Sequence, residues 1–473
     1  MQTRSEARGA AAELPPVVPG RPLTGNLLDF TSNPLEYLTA CAREYGDLAR
    51  MRILGRPVWL ASHPDLIEQV MVKSNRGFLK SRAERRGLSF LGDGLLTSEG
   101  EFWRRQRRLQ QPAFHKKRIE GYAATMVECA EQMGDEWRVE RRCERRGERG
   151  AETQIDLHAE MMRLTLRIVN LAMFGADVDY KADEVGAALE AITDRFSGKG
   201  GVFFQTPEAI PTRTNRRYRS ALRTLDDLIY GIIEERQREG EDAERDDLLS
   251  MLLAARDERT GEGMSPGQLR DEVLTIFAAG HETTANAMSW TFYLLARHPE
   301  IEEKLQTELD ETLGDRPPEL SDLANLRYTE AVVRESMRMY PPVPTFGREA
   351  AEDQELGGYE LRKGTQVIVS QWVAHRDPRY FDDPELFRPG RWLDGSTDGI
   401  PKYAYFPFGG GPRQCIGKGF AEMEAALLLA SLSRRYSFAL AHPERRVKPQ
   451  PVITLRPRGG MPMLARRRDQ HTS

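Results

Sequence analysis

The stretch FPFGGGPRQCIGKGF, residues 406–420, surrounds one cysteine with five glycines and two prolines. Three consecutive glycines before a proline permit a tight turn and a close approach of backbone to a large flat ligand. Helix-forming sequence resumes near Gly417, so the positive end of that helix points at the Cys415 sulfur. Arg413, two residues away, adds positive charge, and both effects favour a thiolate. The same residues also admit a phosphate-cradling loop or a structural turn over a buried thiol. A phosphate loop calls for a preceding strand and a GKS/GKT or GxGxxG pattern, and neither is present. The pattern Phe-x-x-Gly-x-Arg-x-Cys-x-Gly is met by Phe408, Gly411, Arg413, Cys415 and Gly417.

That pattern resembles the haem-binding signature of the cytochrome P-450 monooxygenases. The resemblance implies that Cys415 is the iron ligand of a haem b, whose electron-rich thiolate favours O–O bond cleavage. It implies a mainly α fold with a small β portion: a triangular-prism helical domain plus a small β-rich region. Phe408 would pack near the sulfur and tune the iron, with Gly417 and Ala279 also against the cofactor.

A second stretch, MSPGQLRDEVLTIFAAGHETTANAMSWTFYLLARHPE (264–300), predicts a helix of roughly thirty residues opened by a Ser265/Gln268 capping box with Pro266 in its first turn. Its apolar middle is interrupted by Gly280, His281, Glu282, Thr283 and Thr284. Interior glycine costs a helix about 1 kcal/mol, and a buried carboxylate costs more unless it is paired. Thr283 follows Ala279 by one turn, so its hydroxyl can bond that carbonyl and distort the helix locally. A polar face touching solvent would explain these residues as well. The AGHETT run is similar to the family's acid–threonine motif, which implies that Thr283 and Glu282 are catalytic, handling protons at the oxygen-binding face.

Glu335 and Arg338, in EAVVRESMRMYPPVP (330–344), form an i,i+3 pair before an abrupt proline stop. By spacing alone this is an ordinary surface pair. By resemblance it is a structural element that takes Arg391, in FRPGRW (387–392), as its partner. Trp103 and Arg107 share a helix face in GEFWRRQRRLQQPAFHKKR (100–118). The resemblance makes them haem-propionate contacts, together with Arg348 and Arg413.

The chain of 473 residues is 40% hydrophobic and 30% charged, a globular balance, and its net charge of −4 gives no sign of nucleic-acid binding. Four cysteines without CxxC or zinc-ligand spacing are no disulfide framework and fit a reducing compartment. Neither a signal peptide nor a membrane span is legible, so a soluble cytoplasmic protein without a membrane anchor is expected. Residues 1–25 read as a polar, proline-rich lead and 26–473 as a single haem-binding domain. Strand signal falls at 47–62, about a Gly55-Arg56 turn, at 355–371, about Lys363-Gly364, and near the end in PVITLRPRGGMPML. The piece 137–150 alternates glutamate and arginine every fourth residue, a solvated helix surface fraying into a loop.

The tail beyond Cys415 is too short for a fused reductase, so electrons are expected from a separate ferredoxin or flavodoxin with its own reductase. Arg104, Arg105, Arg108, Lys116, Lys117, Arg118 and Lys418 would give such an acidic partner a basic face. Family position suggests a pocket of Phe90, Leu91, Ala278, Val343, Thr345, Phe346 and Ile453, with Phe203 and Phe204 in a lid. The lining is apolar, which implies a hydrophobic small molecule: a fatty acid, a terpenoid or a polyketide. Layout and motif wording look closer to the fatty-acid-hydroxylating bacterial branch. A peroxygenase or isomerase, a haem-binding sensor, and a cysteine-nucleophile enzyme are the competing functions. The first two do not require Glu282 and Thr283, and no histidine is placed as a base for the third.

Overall fold

The helix Pro266–Leu295 is the spine of the computed structural model, which describes residues 14–144, 152–175, 182–197, 206–239, 247–257 and 260–468. Its start is built as the sequence predicts. The Gln268 N–H donates to Ser265 Oγ (3.2 Å), the Ser265 N–H donates to Gln268 Oε1 (2.9 Å), and Pro266 opens the first turn. From Thr284 to Leu295 every residue is buried, the signature of a central helix. The helices Leu157–Phe174 and Lys418–Arg435 pack against it and share its hydrophobic core. The molecule is mostly helical with small sheets.

The strands come from distant segments, as the sequence implies. β1 (Leu48–Ile53) and β2 (Arg56–Ala61) form a hairpin. Its turn is Leu54-Gly55, one residue earlier than expected, because Arg56 already pairs with Ile53. Both turn residues have positive φ (50° and 77°), as a two-residue hairpin loop requires. β3 (Phe78–Lys80), β4 (Thr153–Asp156), β5 (Thr345–Ala350), β6 (Gln354–Leu356), β7 (Tyr359–Leu361) and β8 (Gln366–Ser370) follow. The main sheet runs β1-β2-β8-β5-β3, antiparallel except for the β2–β8 pair. β9 (Tyr436–Leu440), β10 (Pro449–Pro451), β11 (Leu455–Pro457) and β12 (Pro462–Arg467) close the chain, with β12 between β4 and β9.

The proline-rich lead is tied to this sheet from Pro16 onward. Val18 N–H donates to Arg50 O and Arg50 N–H to Pro16 O, each at 2.8 Å. Extended proline backbone suits such an edge, where few donors are needed. Of the charge-rich 137–150 piece, residues up to Glu144 belong to the helix Ala123–Glu144, and the rest lies outside the described residues.

Beneath the cysteine loop, Glu335 and Arg338 of the helix Arg327–Met339 are wholly buried instead of lying on the surface. Arg338 grips both Glu335 oxygens at 2.9 Å, and Arg391 Nε donates to Glu335 Oε1 at 2.9 Å. Trp392 Nε1 adds a bond at 3.0 Å to Glu335 Oε2. The remaining Arg338 donors cap the carbonyls of His375, Pro384 and Leu386. One carboxylate thereby clamps two loops to a helix, with its charge matched and its lone pairs used.

Candidate active site

Cys415 stands at the end of the glycine turn, and its N–H donates to Phe408 O at 3.0 Å. Two glycines make the approach possible. A Cβ on Gly411 (φ 66°) would fall 2.2 Å from the Met71 carbonyl oxygen, and one on Gly410 would fall 2.4 Å from the Tyr403 ring. Gly417 caps the following helix, Lys418–Arg435, and its N–H faces the sulfur. Cys41 and Cys129 are buried thiols, whereas Cys415 keeps exposed surface although protein atoms crowd around it. That crowding pushes the Cys415 thiol up, and the Gly417 N–H and Arg107 pull it back. The positive charge beside the sulfur is therefore Arg107 and not Arg413. Arg413 turns away, donating to Phe78 O (2.9 Å) and to Glu99 (2.6 Å).

Around Trp103 the structure gathers four cations. Arg107, one turn along the helix Gly100–Gln110, donates to Gln414 O at 3.0 Å. Arg413 and Lys80 lie 5.7 and 5.8 Å from the Trp103 ring centroid. Arg348 is buried on β5, opposite Lys80 in the β3–β5 register. Among the described residues Glu99 and Glu84 offset them here, with Glu84 4.0 Å from Arg348. Burial pushes the Lys80 ammonium down to about 7 against the pull of Glu99, with Arg413 and Arg348 adding to the fall. Four basic side chains facing two carboxylates, beside a thiol on a glycine cradle, fit a haem, whose two propionates would offset the positive charge and draw the Lys80 ammonium back up.

On the spine helix, Thr283 Oγ1 donates to Ala279 O at 2.9 Å, as its spacing predicts. His281 is buried, and its Nδ1 is 2.9 Å from Phe277 O. Glu282 is held by two residues of the chain end: Thr454 Oγ1 and Arg456 Nε (2.6 Å) both donate to its Oε1. Burial alone would raise the Glu282 carboxyl; Arg456 and Thr454 reverse this and hold it below the usual carboxylate range. The sign of the pH effect follows. A lowered carboxyl gives stability above its ordinary pKa of 4.5 and loses it as pH falls through the folded value. Arg456→Leu is expected to destabilise the fold by about 3 kcal/mol at neutral pH, because the carboxylate is left buried and unpaired. The deficit should shrink as pH falls toward 4.5, as Glu282 takes up a proton. Urea unfolding across that range measures it.

A sequence model described as cytochrome P-450 matches residues 15–462. The chain belongs to the cytochrome P-450 family. It is 36% identical to cyclooctatin synthase of Streptomyces melanosporofaciens, covering 94% of this chain and 92% of that protein. Cyclooctat-9-en-7-ol 5-monooxygenase of the same organism is 34% identical over 96% of each chain. Pentalenene oxygenase of Streptomyces avermitilis is 34% identical, with 92% and 93% covered. This cytochrome P-450 is a monooxygenase whose family uses a thiolate-held haem iron.

The chain end meets the stretch in which the sequence resemblance expects the pocket. Leu455 N–H donates to Pro342 O (2.8 Å), and Trp290 Nε1 donates to Leu455 O (2.8 Å). Those bonds bring Ile453 to the stretch that holds Val343, Thr345 and Phe346, all half-buried. Ala278 and Phe90 are half-buried against the main core, while Leu91 is fully enclosed in it and offers no free surface. Phe203 and Phe204 lie outside the described residues.

Several residues of this site escape a reading of the sequence. Lys80 and Glu99 belong to no motif, and Thr454 and Arg456 sit in the closing strand-like stretch with no sign of their partner. Alternation along the extended chain puts Thr454, just before β11, and Arg456, within it, on one side. That face was the one available signal, since a buried carboxylate must find donors.

Proposed function

We propose that Cys415 is the axial ligand of a haem b and that this enzyme oxygenates a terpenoid-like hydrocarbon, drawing electrons from a separate ferredoxin or flavodoxin. The observation that carries it is the joint placement of the glycine-cradled thiol, the cation cluster about Trp103, and the Glu282–Thr283 pair. The haem, when bound, supplies dioxygen activation and transfer of one oxygen atom to substrate, the second leaving as water.

The chain's own residues have definable tasks. Trp103, Arg107, Arg348 and Arg413, joined by Lys80, hold the propionates. Thr283 presents a hydroxyl held by its bond to Ala279 O, where it can pass a proton while keeping bulk water out. Glu282, held ionised by Arg456, is a poor proton acceptor and can carry a proton toward Thr283 only once that pairing loosens. Half-buried Phe90, Val343, Phe346 and Ile453 suit an apolar substrate. Two of the relatives are named for oxygenating cyclooctat-9-en-7-ol and pentalenene, which favours an olefinic hydrocarbon skeleton over a fatty acid.

The donor surface is narrower than the sequence suggests. Arg105 is not on it: its guanidinium bonds Asp257 (3.1 Å) and the carbonyls of Glu262 and Gly263. Lys116 and Lys117 remain exposed on the helix Lys116–Gly121. The Gly419 backbone approaches Ile119 of that helix, which sets Lys418 beside them. Their charge suits an acidic partner.

Thr283→Ala tests the proton reading. Oxygen consumption is expected to continue while product per oxygen consumed falls several-fold; unchanged coupling would remove Thr283 from this role. A low-spin to high-spin absorbance titration with cyclic olefins against fatty acids tests the substrate class. A shift with fatty acids alone would overturn the hydrocarbon reading.

A further inference from the structure

The helix that follows Cys415 carries a carboxyl group that none of the chemistry above uses. Glu424 is wholly buried, and neither of its oxygens has a hydrogen-bond partner among the described residues. Burial pushes its carboxyl up to about 8, and the only group that acts against this is the Thr284 hydroxyl. None of the charged groups on the neighbouring elements contributes to this shift. These are Glu131 and Asp135 on the 123–144 helix, Glu282 on the 266–295 helix, and Glu302 on the helix Pro299–Leu313. Glu335 and Arg338, Glu120, Asp322 and its own neighbour Glu422 act no more strongly.

Thr284 shows the other half of the contact. Three hydroxyls of the 266–295 helix bond the carbonyl one turn back closely: Thr283 at 2.9 Å, Ser289 at 2.6 Å and Thr291 at 2.8 Å. Thr284 reaches Gly280 O only at 3.4 Å. Its bond to its own helix is the longest of the four, and Thr284 is the one side chain that acts on the Glu424 carboxyl. Gly280 has no slack to follow, since a Cβ there would already fall 3.0 Å from Val169.

We propose that Glu424 is kept as a neutral acid that donates to the Thr284 hydroxyl, pinning the helix turn that aims Thr283. A protonated carboxyl has a donor, and Thr284 then passes its own hydrogen to Gly280 O, so both groups are satisfied. The ionised group accepts only. It would take the Thr284 hydrogen away from Gly280 O or draw in water to hydrate a buried charge. Either change loosens the carbonyl next to Ala279, which orients Thr283. Glu424 is therefore a positioning residue that ties the helix behind the thiolate to the helix that manages protons. The consequence for coupling rests on the reading of Thr283 above.

Glu424→Gln keeps a donor and an acceptor but cannot ionise, and it is compared with the wild-type holoenzyme. A unit or more below pH 8, product per oxygen consumed should match. A unit or more above it, the wild type should lose coupling several-fold while Glu424→Gln does not. The sign for stability is fixed as well: a raised carboxyl makes the wild type lose stability as pH climbs from 4.5 to about 8. The melting-temperature advantage of Glu424→Gln should therefore grow across that window and then level off. Infrared difference spectra at neutral pH should show a protonated-carboxyl band that Glu424→Gln lacks. Thr284→Val, which keeps the shape, should shift that band and lower coupling at every pH. A missing band, a pH-independent stability gap, or coupling already lost in Glu424→Gln at low pH would overturn the proposal. Unchanged coupling in Thr283→Ala, with band and gap present, would instead remove the reading of Thr283 and the coupling consequence drawn from it.

Discussion

Cys415→Ala is expected to yield a folded protein with no detectable oxygenation. The side chain contributes little to the core, because it keeps exposed surface while Cys41 and Cys129 are enclosed. The loop is held by other groups: the Cys415 N–H bond to Phe408 O, the close backbone approach of Gly411 to Met71, and the Gly417 cap. None of these needs the sulfur. Thermal unfolding of the haem-free chain should therefore change by about 1 kcal/mol or less, as at a site away from core packing. Activity depends on the sulfur entirely, since no second cysteine or histidine ligand stands at the turn to hold an iron. Among the described residues no cluster of three metal-ligating side chains exists that could substitute. A variant that unfolds, or one that still forms product, would contradict this division of labour.

The second large effect falls on stability. Glu335→Ala should prevent accumulation of folded protein at growth temperature. It leaves Arg338 and Arg391 charged, almost wholly buried and without a counter-ion, and orphans the Trp392 indole donor. Breaking such a pair costs about 3–5 kcal/mol, against a total stability of about 5–15 kcal/mol for a folded domain. Glu335→Gln keeps the shape and one acceptor oxygen but loses the charge and turns an NH2 toward other donors, so it should fall between wild type and Glu335→Ala. Soluble yield and urea midpoint measure the series. Wild-type-like unfolding of Glu335→Ala would show that solvent reaches the cluster.

These two residues mark where a linear reading succeeds and where it stops. The cysteine loop is legible because its function requires a local pattern: glycines, an arginine, a cysteine and a helix start within one turn. The Ser265 capping box and the Thr283 back-bond are legible for the same reason, since both partners lie within four residues. Glu335 and Arg338 look like a surface pair because spacing carries no information on burial. Their enclosure depends on loops some fifty residues later in the chain, which supply Arg391, Trp392 and three backbone carbonyls.

Electrostatic partners are the least legible part. Lys80, Glu99, Arg348 and Arg413 meet from four separate segments; the resemblance joins Arg348 to Arg413, and nothing in the sequence points to Lys80 or Glu99. Arg413 was read as the charge beside the sulfur because it is close in sequence, yet the fold gives that place to Arg107. Glu282 was read as a proton-handling residue with no partner named, and its Arg456 partner arrives because β11 is fastened to Pro342 and Trp290. The hairpin turn shifts by one residue for a simpler reason: Leu54 accepts a left-handed conformation that a sequence reading would reserve for glycine.

The most direct measurement is the absorbance of the purified, haem-loaded protein after reduction and addition of carbon monoxide, recorded beside Cys415→Ala. A thiolate-held haem gives a far-red-shifted Soret band in the wild type and none in the variant. Absence of that band from the haem-loaded wild type, or its survival in Cys415→Ala, would contradict Cys415 as the iron ligand.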